Sequence, residues 1–244
     1  DNTDTDTDAL AADASVTDTF SAIVTDAASA QSTAQTITVT LTGANDAPTL
    51  AGNVSGSVTE DATTTTATGT LTSTDVDTGD TAAYSIADTS GTYGSITIDE
   101  TSGAWTYTLD NTDTDTDALA ADASVTDTFT ATVTDANGAT DVQDITVTLT
   151  GANDAPTLAG NVSGSVTEDA ATTTATGTLT STDVDTGDTL TYSIAQTSGT
   201  YGSIAIDADT GLWTYTLDNT DTDTDALAAD ASVTDTFSAI VTDA

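Results

Sequence analysis

The sequence has no lysine, arginine, histidine, cysteine or methionine among its 244 residues, and these absences exclude most protein chemistry. Without histidine, cysteine or lysine there is no common general base at neutral pH and no activated thiol or amine, so we expect no enzymatic activity. Zinc, copper and iron–sulfur sites normally need imidazole or thiolate. A chain without cations cannot neutralise phosphates, so we expect no nucleic-acid partner.

The sequence also lacks any stretch typical of a transmembrane span or a signal peptide. We therefore expect no membrane insertion. Because the sequence begins at Asp1 without a methionine, we expect it to be an internal piece of a longer protein.

What the chain has in excess is negative charge, with 40 acidic residues and a formal net charge of −40. High net charge with modest hydrophobicity is usually a sign of disorder. Two carboxylates about 4 Å apart repel by roughly 4 kcal/mol at an effective dielectric of 20, a large share of the roughly 5–15 kcal/mol that stabilises a domain. Either the chain is disordered or cations come from solution.

Internal repeats are the most informative feature of the sequence. The segment GANDAPTLAGNVSGSVTEDA recurs unchanged with its start displaced by 108 residues, at 43–62 and 151–170. Two further segments also recur: STDVDTGDT at 73–81 and 181–189, and DNTDTDTDALAADASVTDTF from Asp1, Asp110 and Asp218. The chain is therefore predicted to be an array of similar domains.

The only two prolines, Pro48 and Pro156, lie in the GANDAP segments and mark predicted boundaries, since proline fixes φ and lacks an N–H donor. We predict one complete repeat at 47–154. Residues 1–46 are then the C-terminal part of a preceding repeat, and residues 155–244 a following repeat that lacks its last strand.

Each repeat has the alternating pattern of half-buried β-strands. Trp105, Tyr107 and Leu109 alternate with threonine, as do the apolar residues of 129–133 and 145–149. Further short runs lie at 54–58, 67–72, 82–87 and 94–98. About seven strands separated by glycine and aspartate turns predict an all-β, immunoglobulin-like antiparallel sandwich rather than a disordered chain.

Acidic segments lie where the ends of the sandwiches are predicted to meet. They are VTEDA with Glu60 and Asp61, TDVDTGD with Asp75, Asp77 and Asp80, VTDAN with Asp135, and GAND with Asn153 and Asp154. Calcium binds six to eight oxygens from carboxylates, amides and backbone carbonyls. Ordinary aspartate-rich turns are the alternative, because aspartate favours turns. We favour calcium binding, since the chain offers no cation of its own.

The DNTDTDTD segment resembles the first half of an EF-hand loop, but Ala118 replaces the required glycine and no glutamate closes the loop. We interpret it as a solvated acidic loop, with secondary cation binding as the alternative. Tyr84, Tyr93, Trp105 and Tyr107 could form a carbohydrate-stacking surface. The inward alternation of Trp105 and Tyr107 favours packing in the core instead.

The ordered series GSVTEDA, ATGTLTSTDVDTGDTLTYSIA, GTYGSIAIDADTGLWTYTLDN, DTFTATVTDANGA and ITVTLTGANDAP closely resembles the VCBS repeats of giant bacterial RTX-type adhesins, relatives of the cadherin-like domains. The resemblance covers the whole chain. It implies calcium-binding sandwiches strung end to end and secreted to the cell surface, usually by type I secretion. Such repeats hold a terminal binding domain away from the cell.

The resemblance also implies two sets of calcium ligands, one at each junction between repeats. The earlier junction would gather Asn45, Asp46, Asp75, Asp77 and Asp135. The later junction would gather Glu60, Asn153, Asp154, Asp183, Asp185 and Asp243. LDNTD stands where cadherins have LDRE, which leaves the roles of Asp110 and Asp218 open.

The sequence leaves three functions to compare. The first is a structural extender of an extracellular adhesin, with calcium and neighbouring repeats as its partners. The second is the repeating unit of an assembled filament, because residues 218–244 repeat residues 1–27 and residues 28–46 carry the strand that the last repeat lacks. The third, a carbohydrate-binding module, would need aromatic side chains exposed on one face.

Overall fold

A computed structural model describes residues 4–243, and its regular secondary structure is almost entirely β-strand. The chain divides into two compact units. The first comprises residues 1–111 and 124–150, and the second residues 112–123 and 151–244. Each unit combines segments that are distant in sequence.

The first unit contains ten strands. They are β1 (Ser15–Ala22), β2 (Gln35–Thr42), β3 (Thr49–Gly52), β4 (Ser55–Thr59), β5 (Thr66–Thr74), β6 (Ala83–Ile86), β7 (Gly94–Ile98), β8 (Ala104–Leu109), β9 (Ser124–Thr134) and β10 (Thr140–Thr150). The second unit contains β11 (Thr157–Gly160), β12 (Thr174–Thr182), β13 (Thr191–Ile194), β14 (Gly202–Ile206), β15 (Leu212–Leu217) and β16 (Ala239–Thr242).

Two four-stranded sheets form the sandwich of the first unit, in the orders β3-β5-β8-β7 and β4-β10-β9-β6. This confirms the all-β sandwich predicted from the alternating pattern. Among residues 4–243 the ladders between these strands are antiparallel except for the pair β4–β10, which is parallel, with Thr146 opposite Ser55. The sandwich is therefore mixed rather than wholly antiparallel.

The chain changes sheets between β3 and β4, and the sequence pattern did not predict β3. The residues TLAG of β3 follow Pro48 and pair with β5. Gly52 then adopts φ 116°, a conformation that favours glycine. Three residues later, at Ser55, the chain enters the other sheet as β4. Residues 47–154 thus contain eight strands, one more than the seven runs identified in the sequence.

The core of the first unit is centred on Trp105 and Tyr107, which are 1 % and 0 % exposed. The Trp105 ring lies against Gly69, where an added Cβ would meet the indole at 2.5 Å. The indole Nε1–H donates to the Asn53 carbonyl at 2.8 Å. These residues belong to the interior, as their alternation predicted, so they do not form a carbohydrate-stacking surface.

Strands β9 and β10 form the longest ladder of the sandwich, with eleven paired residues. Phe129, Ala131 and Val133 point inward from β9, and Ile145, Val147 and Leu149 point inward from β10; all six are buried. Threonines occupy most of the outward positions, where β-branched hydroxyl side chains suit a solvated sheet face.

The second unit repeats β3, β5, β8 and β7 as the sheet β11-β12-β15-β14. Its other strands, β13 and β16, form a two-stranded sheet. Strands β1 and β2 of the first unit likewise form a two-stranded sheet, with Phe20 opposite Ile37.

Helical structure is limited to four-residue turns within the described residues 4–243. They are α1 (Thr5–Asp8), α2 (Thr114–Asp117) and α3 (Thr222–Asp225), one in each DNTDTDTD segment. Each begins after an aspartate, Asp4, Asp113 or Asp221, whose side chain accepts a hydrogen bond from the N–H two residues later.

Candidate metal centre

Two loops of the first unit bring four aspartates together in what we call the first acidic site. Asp75, Asp77 and Asp80 lie on the loop that follows β5, and Asp135 follows β9. One carboxylate oxygen from each of Asp75, Asp80 and Asp135 lies within 4.8 Å of the others. Asp77 and Asp135 are 3 % and 7 % exposed.

Backbone N–H groups orient these carboxylates. The Asp77 N–H donates to Asp75 Oδ1 at 2.9 Å, and the Asp46 N–H donates to Asp77 Oδ2 at 2.9 Å. Asp80 Oδ1 accepts from the N–H groups of Thr81 and Ala136 at 2.8 and 3.2 Å. Each of the three aspartates of the TDVDTGD loop thus uses one oxygen to fix its own position.

The second oxygen of each of these three aspartates is buried and has no hydrogen-bond partner among residues 4–243: Asp75 Oδ2, Asp77 Oδ1 and Asp80 Oδ2. A buried polar group without a partner is costly, and a buried charge more so. The loop folds so that these oxygens are desolvated, and the carboxylates of Asp75 and Asp80 lie close to that of Asp135. The chain contains no lysine, arginine or histidine that could neutralise the first acidic site.

Asn45 ties the segment between β2 and β3 to this site. Its Nδ2 donates to Asp135 Oδ2 at 2.8 Å, and its Oδ1 accepts from Asn137 Nδ2 at 2.6 Å. The Asn45 hydrogen bond is the largest cause of a lowered pKa at Asp135, assisted by N–H groups from Ala139, Asn137 and Gly138 and opposed by desolvation. Asp135 is thus held as a carboxylate.

The pKa of Asp46 is shifted in the opposite direction from that of Asp135. Desolvation, followed by the negative charges of Asp8, Asp77 and Asp75, raises the pKa of its carboxyl group. Asp8 belongs to the first DNTDTDTD segment, and the next residue's carbonyl, Ala9 O, accepts a hydrogen bond from the Thr78 N–H at 3.2 Å. The acidic loop is therefore packed near the first acidic site.

The second unit contains an equivalent arrangement, the second acidic site. Its members are Asp183, Asp185, Asp188, Asp243, Asn153 and Asp154. Oxygens of Asp183, Asp188 and Asp243 lie within 4.8 Å of one another. Asp183 Oδ2 and Asp185 Oδ1 are buried without a partner among residues 4–243. Burial and the charges of Asp185, Asp183 and Asp243 raise the pKa of Asp188.

The connector residues of the second unit make the same contacts as Asn45 and Asp46. Asn153 Nδ2 donates to Asp243 Oδ2 at 3.2 Å, and the Asp154 N–H donates to Asp185 Oδ2 at 2.9 Å. A carboxylate oxygen of Asp117, the last residue of α2, lies within 4.8 Å of one from Asp154. The DNTDTDTD segment interpreted as a solvated loop thus contributes a partly buried carboxylate here.

The structure therefore brings together most of the ligands expected from the sequence. Glu60 lies just after β4, is 3 % exposed, and its N–H donates to the Thr150 carbonyl at 2.9 Å. Its grouping with the residues of the later junction stays a prediction.

Sequence reasoning did not assign Asp80, Asp188, Asp8 or Asp117 as ligands. Asp80 and Asp188 could have been found, because each closes the repeated D-x-D-x-G-D segment. Asp8 and Asp117 lie in DNTDTDTD segments, for which the sequence analysis kept cation binding only as the alternative interpretation.

The donor set fits a hard cation. Both sites offer carboxylate and amide oxygens, the ligands that calcium prefers, and the whole chain contains no imidazole or thiolate. The buried oxygens without partners are the atoms that such an ion would contact.

Comparison with known proteins agrees with this arrangement. A family model described as "Bacterial cadherin-like domain" matches residues 45–151 and 153–244. The chain belongs to this family. Cadherin-like domains are extracellular adhesion repeats with a structural role, and they are not enzymes. No curated protein matches the chain.

One solved cadherin structure with a TM-score above 0.5 shares the fold of this family member, and others are similar below that value. Protocadherin gamma B7 extracellular domains 1–4 has a TM-score of 0.51 at 14% identity over 94% of this chain and 56% of that one. Human CDH23 EC21–23 has a TM-score of 0.49 at 19% identity, over 92% and 73% of the two chains. The chain covers 48% of PcdhgB3 EC1–4 and 59% of mouse cadherin-23 EC22–24. These likenesses concern the fold alone.

No helix in residues 4–243 of this cadherin-like chain has the length and apolar character needed to cross a membrane.

Proposed function

We propose that the chain is a calcium-rigidified structural extender of a secreted or surface bacterial adhesin, which holds a distal binding domain away from the cell. The observation that carries this proposal is the set of three buried oxygens at the first acidic site, Asp75 Oδ2, Asp77 Oδ1 and Asp80 Oδ2, that have no partner within residues 4–243.

The connection between these oxygens and stiffness is the segment that joins β2 to β3. Asn45 is hydrogen-bonded to Asp135, and the Asp46 N–H to Asp77, so the connector is attached to the loops that form the site. Repulsion among Asp8, Asp46, Asp75 and Asp77 opposes that attachment. Bound at the site, calcium would supply the positive charge that offsets this repulsion.

Without a cation, the same residues favour separation of the loops. Two carboxylates about 4 Å apart repel by roughly 4 kcal/mol at an effective dielectric of 20. Several such pairs exceed the about 0.5–1.5 kcal/mol that each connector hydrogen bond contributes. The connector then loosens, and the residues on either side of it reorient. Because the site recurs in the second unit, the same change is expected at every junction of a longer array.

Secretion by a type I route and membership of a giant RTX-type adhesin remain part of the proposal. They are supported by the motif series and by the extracellular class of the family.

Small-angle X-ray scattering in calcium and in chelator tests the proposal. We expect a narrow distribution of maximum dimensions in calcium and a broader one in chelator. The double variant Asp77→Asn with Asp185→Asn should give the broad distribution even in calcium. Glu100→Gln also removes one charge, at an exposed position outside the sites, and should behave like the original chain. Equal breadth in calcium and chelator would contradict the extender mechanism.

A further inference from the structure

A short motif recurs at the same turn in both repeats. The residues Asn-Val-Ser occupy positions 53–55 and again positions 161–163, and each copy follows a TLAG strand, β3 or β11. The chain contains eight asparagines, and only these two are followed by a serine or threonine after one intervening residue. Asn-x-Ser, with x other than proline, is the acceptor sequence for an N-linked sugar.

The backbone of Asn53 is held by the sandwich, whereas its side chain is exposed. Its N–H donates to the Thr70 carbonyl at 2.9 Å, and its carbonyl accepts from Trp105 Nε1–H at 2.8 Å. The side-chain Oδ1 accepts from the Ser55 N–H at 3.0 Å, which forms an Asx turn. Nδ2 makes no hydrogen bond within residues 4–243. The amide nitrogen is therefore presented at the surface by a fixed turn.

Asn161 has the same set of contacts in the second unit. Its N–H donates to the Thr178 carbonyl at 2.9 Å, and its carbonyl accepts from Trp213 Nε1–H at 2.8 Å. Its Oδ1 accepts from the Ser163 N–H at 3.0 Å, and its side chain is likewise exposed. All of these contacts are made inside one repeat. The two repeats thus present the same amide nitrogen in the same way.

We propose that Asn53 and Asn161 are acceptors of an N-linked sugar. In the transfer, Nδ2 forms a bond to C1 of a sugar that is activated by a phosphate ester, either a nucleoside-diphosphate sugar or a lipid-linked sugar. The bond between C1 and the phosphate oxygen breaks, and the phosphate group leaves with its electron pair. Nδ2 releases one proton to a base of the transferase. Such acceptors lie in surface loops of secreted proteins, which agrees with the extracellular class of the family.

The acceptor turn lies at one edge of the sandwich of the first unit. It joins β3 and β4, and these strands end the two sheet orders β3-β5-β8-β7 and β4-β10-β9-β6. Neither strand contains a charged residue. An uncharged edge strand can pair with the edge of another molecule, and a bulky, hydrophilic group beside it opposes such pairing. A sugar on Asn53 would therefore cover an uncharged edge, and this role does not depend on the calcium-dependent function.

Peptide mapping of the protein from the cells that produce it tests the assignment. Cleavage before Asp46 and Asp61, and before Asp154 and Asp169, releases the same peptide, DAPTLAGNVSGSVTE, from both repeats. We expect this peptide to carry the mass of at least one sugar, with fragment ions that locate the sugar on asparagine. The peptide with Asn137 is the matched control. Asn137 is exposed but is followed by Gly-Ala, so it should be unmodified.

Substitution of the serines separates the acceptor sequence from the turn. The double variant Ser55→Ala with Ser163→Ala keeps both asparagines and the backbone N–H groups that bind Oδ1, yet it should lose the sugar. The double variant Ser55→Thr with Ser163→Thr should retain the sugar, because threonine also satisfies the acceptor sequence. Equal melting temperatures of the two variants, both produced without sugar in another host, would show that the lost sugar does not reflect a lost fold.

The donor is identified with unmodified chain in two parallel incubations. One uses the soluble fraction of the producing cells with an added nucleoside-diphosphate hexose, and the other uses their membrane fraction, which holds lipid-linked sugars. Transfer to DAPTLAGNVSGSVTE in either incubation supports the assignment and names the donor. An unmodified peptide in the protein from the producing cells, or a sugar retained by the serine-to-alanine variant, would overturn it.

Discussion

In the first unit, the strands that form the core also carry the loops of the acidic site. The two regions differ in whether their buried polar groups have hydrogen-bond partners within the chain. Around Trp105 the side chains are buried against each other, and the indole N–H has its acceptor within the chain. At the end of β5, buried oxygens of Asp75 and Asp77 lack a partner among residues 4–243. The polar groups of the core are paired within the chain, whereas we propose that an ion from solution balances the charge of the acidic site.

We therefore expect substitutions in the core and substitutions at the acidic site to respond differently to calcium. A change in the core should lower stability equally with and without calcium. A change at the acidic site should act through calcium. Unfolding of the first unit can be followed by Trp105 fluorescence in a Trp213→Phe background, because Trp105 and Trp213 are the only two tryptophans of the chain.

The largest effect is expected from Leu71→Ala in the core. Leu71 is 1 % exposed, and removing a buried leucine side chain costs about 2–5 kcal/mol. Urea unfolding in calcium and in chelator should show the same loss. Val142→Ala, at a position 58% exposed on β10, should change stability by less than about 0.5 kcal/mol. A loss of stability that appears only in calcium would contradict the distinction between the core and the acidic site.

Asp127→Asn tests the same distinction at a buried aspartate whose carboxylate is hydrogen-bonded within the chain. Asp127 is 4% exposed and accepts hydrogen bonds from Tyr107 Oη at 2.8 Å and from the N–H groups of Thr92 and Tyr93 at 2.9 and 3.2 Å. Asparagine offers one acceptor atom fewer. We expect a loss of about 1–3 kcal/mol that is independent of calcium, measured by the same urea titration.

The repeat provides a control for Asp127→Asn. Asp235 accepts the equivalent bond from Tyr215 Oη at 2.8 Å in the second unit, so Asp235→Asn should leave the Trp105 transition unchanged. A loss that calcium restores would mean that Asp127 belongs to a cation site.

Asp77→Asn should affect the free energy of unfolding differently in calcium and in chelator. In calcium it should destabilise the first unit by about 1–2 kcal/mol, because a ligand of the bound state is lost. In chelator it should be neutral or stabilising, since it removes one of the converging charges. Glu100→Gln, the exposed control, should be within about 0.5 kcal/mol in both. A loss of equal size in both conditions would assign Asp77 a purely structural role.

The smallest expected effect is the dependence of folding stability on pH. The folded-state pKa of Asp46 lies above its ordinary value of 3.8 because of burial and neighbouring charge. Asp188 is shifted the same way. These two carboxyl groups therefore bind protons more tightly in the folded chain than in the unfolded chain, and their contribution to stability in calcium-free buffer should rise as the pH falls from about 7 to about 4.5.

Asp135 acts in the opposite direction but over a different range. Its pKa is lowered, so its contribution is present above its ordinary value of 3.8 and is lost as the pH falls below it. In calcium, acidification should instead lower the melting temperature, because protons compete with the ion. A melting temperature that falls on mild acidification in calcium-free buffer would contradict the assigned shifts.

The alternating pattern of the sequence predicted the strands well, because period-two alternation directly reports one buried face. It did not predict β3, whose residues TLAG are too few to show a period. Strands β2 and β10 share the residues ITVTLT, whose alternation predicts a strand in both places.

The acidic site could be predicted only in part from the sequence. D-x-D spacing and the repeated GAND segments pointed to Asp75, Asp77 and Asn45. Asp80 joins them because the Gly79 turn, at φ 87°, folds the loop back. Asp8 is placed by the α1 turn, which the sequence interpretation did not include.

The central claim, that a cation completes the first acidic site, is tested most directly by anomalous diffraction from crystals grown in calcium. We expect an anomalous peak in contact with Asp75 Oδ2, Asp77 Oδ1 and Asp80 Oδ2, at the distances of about 2.3–2.6 Å typical of calcium and oxygen. Water alone at that position, in saturating calcium and with the three carboxylates still converged, would contradict the account.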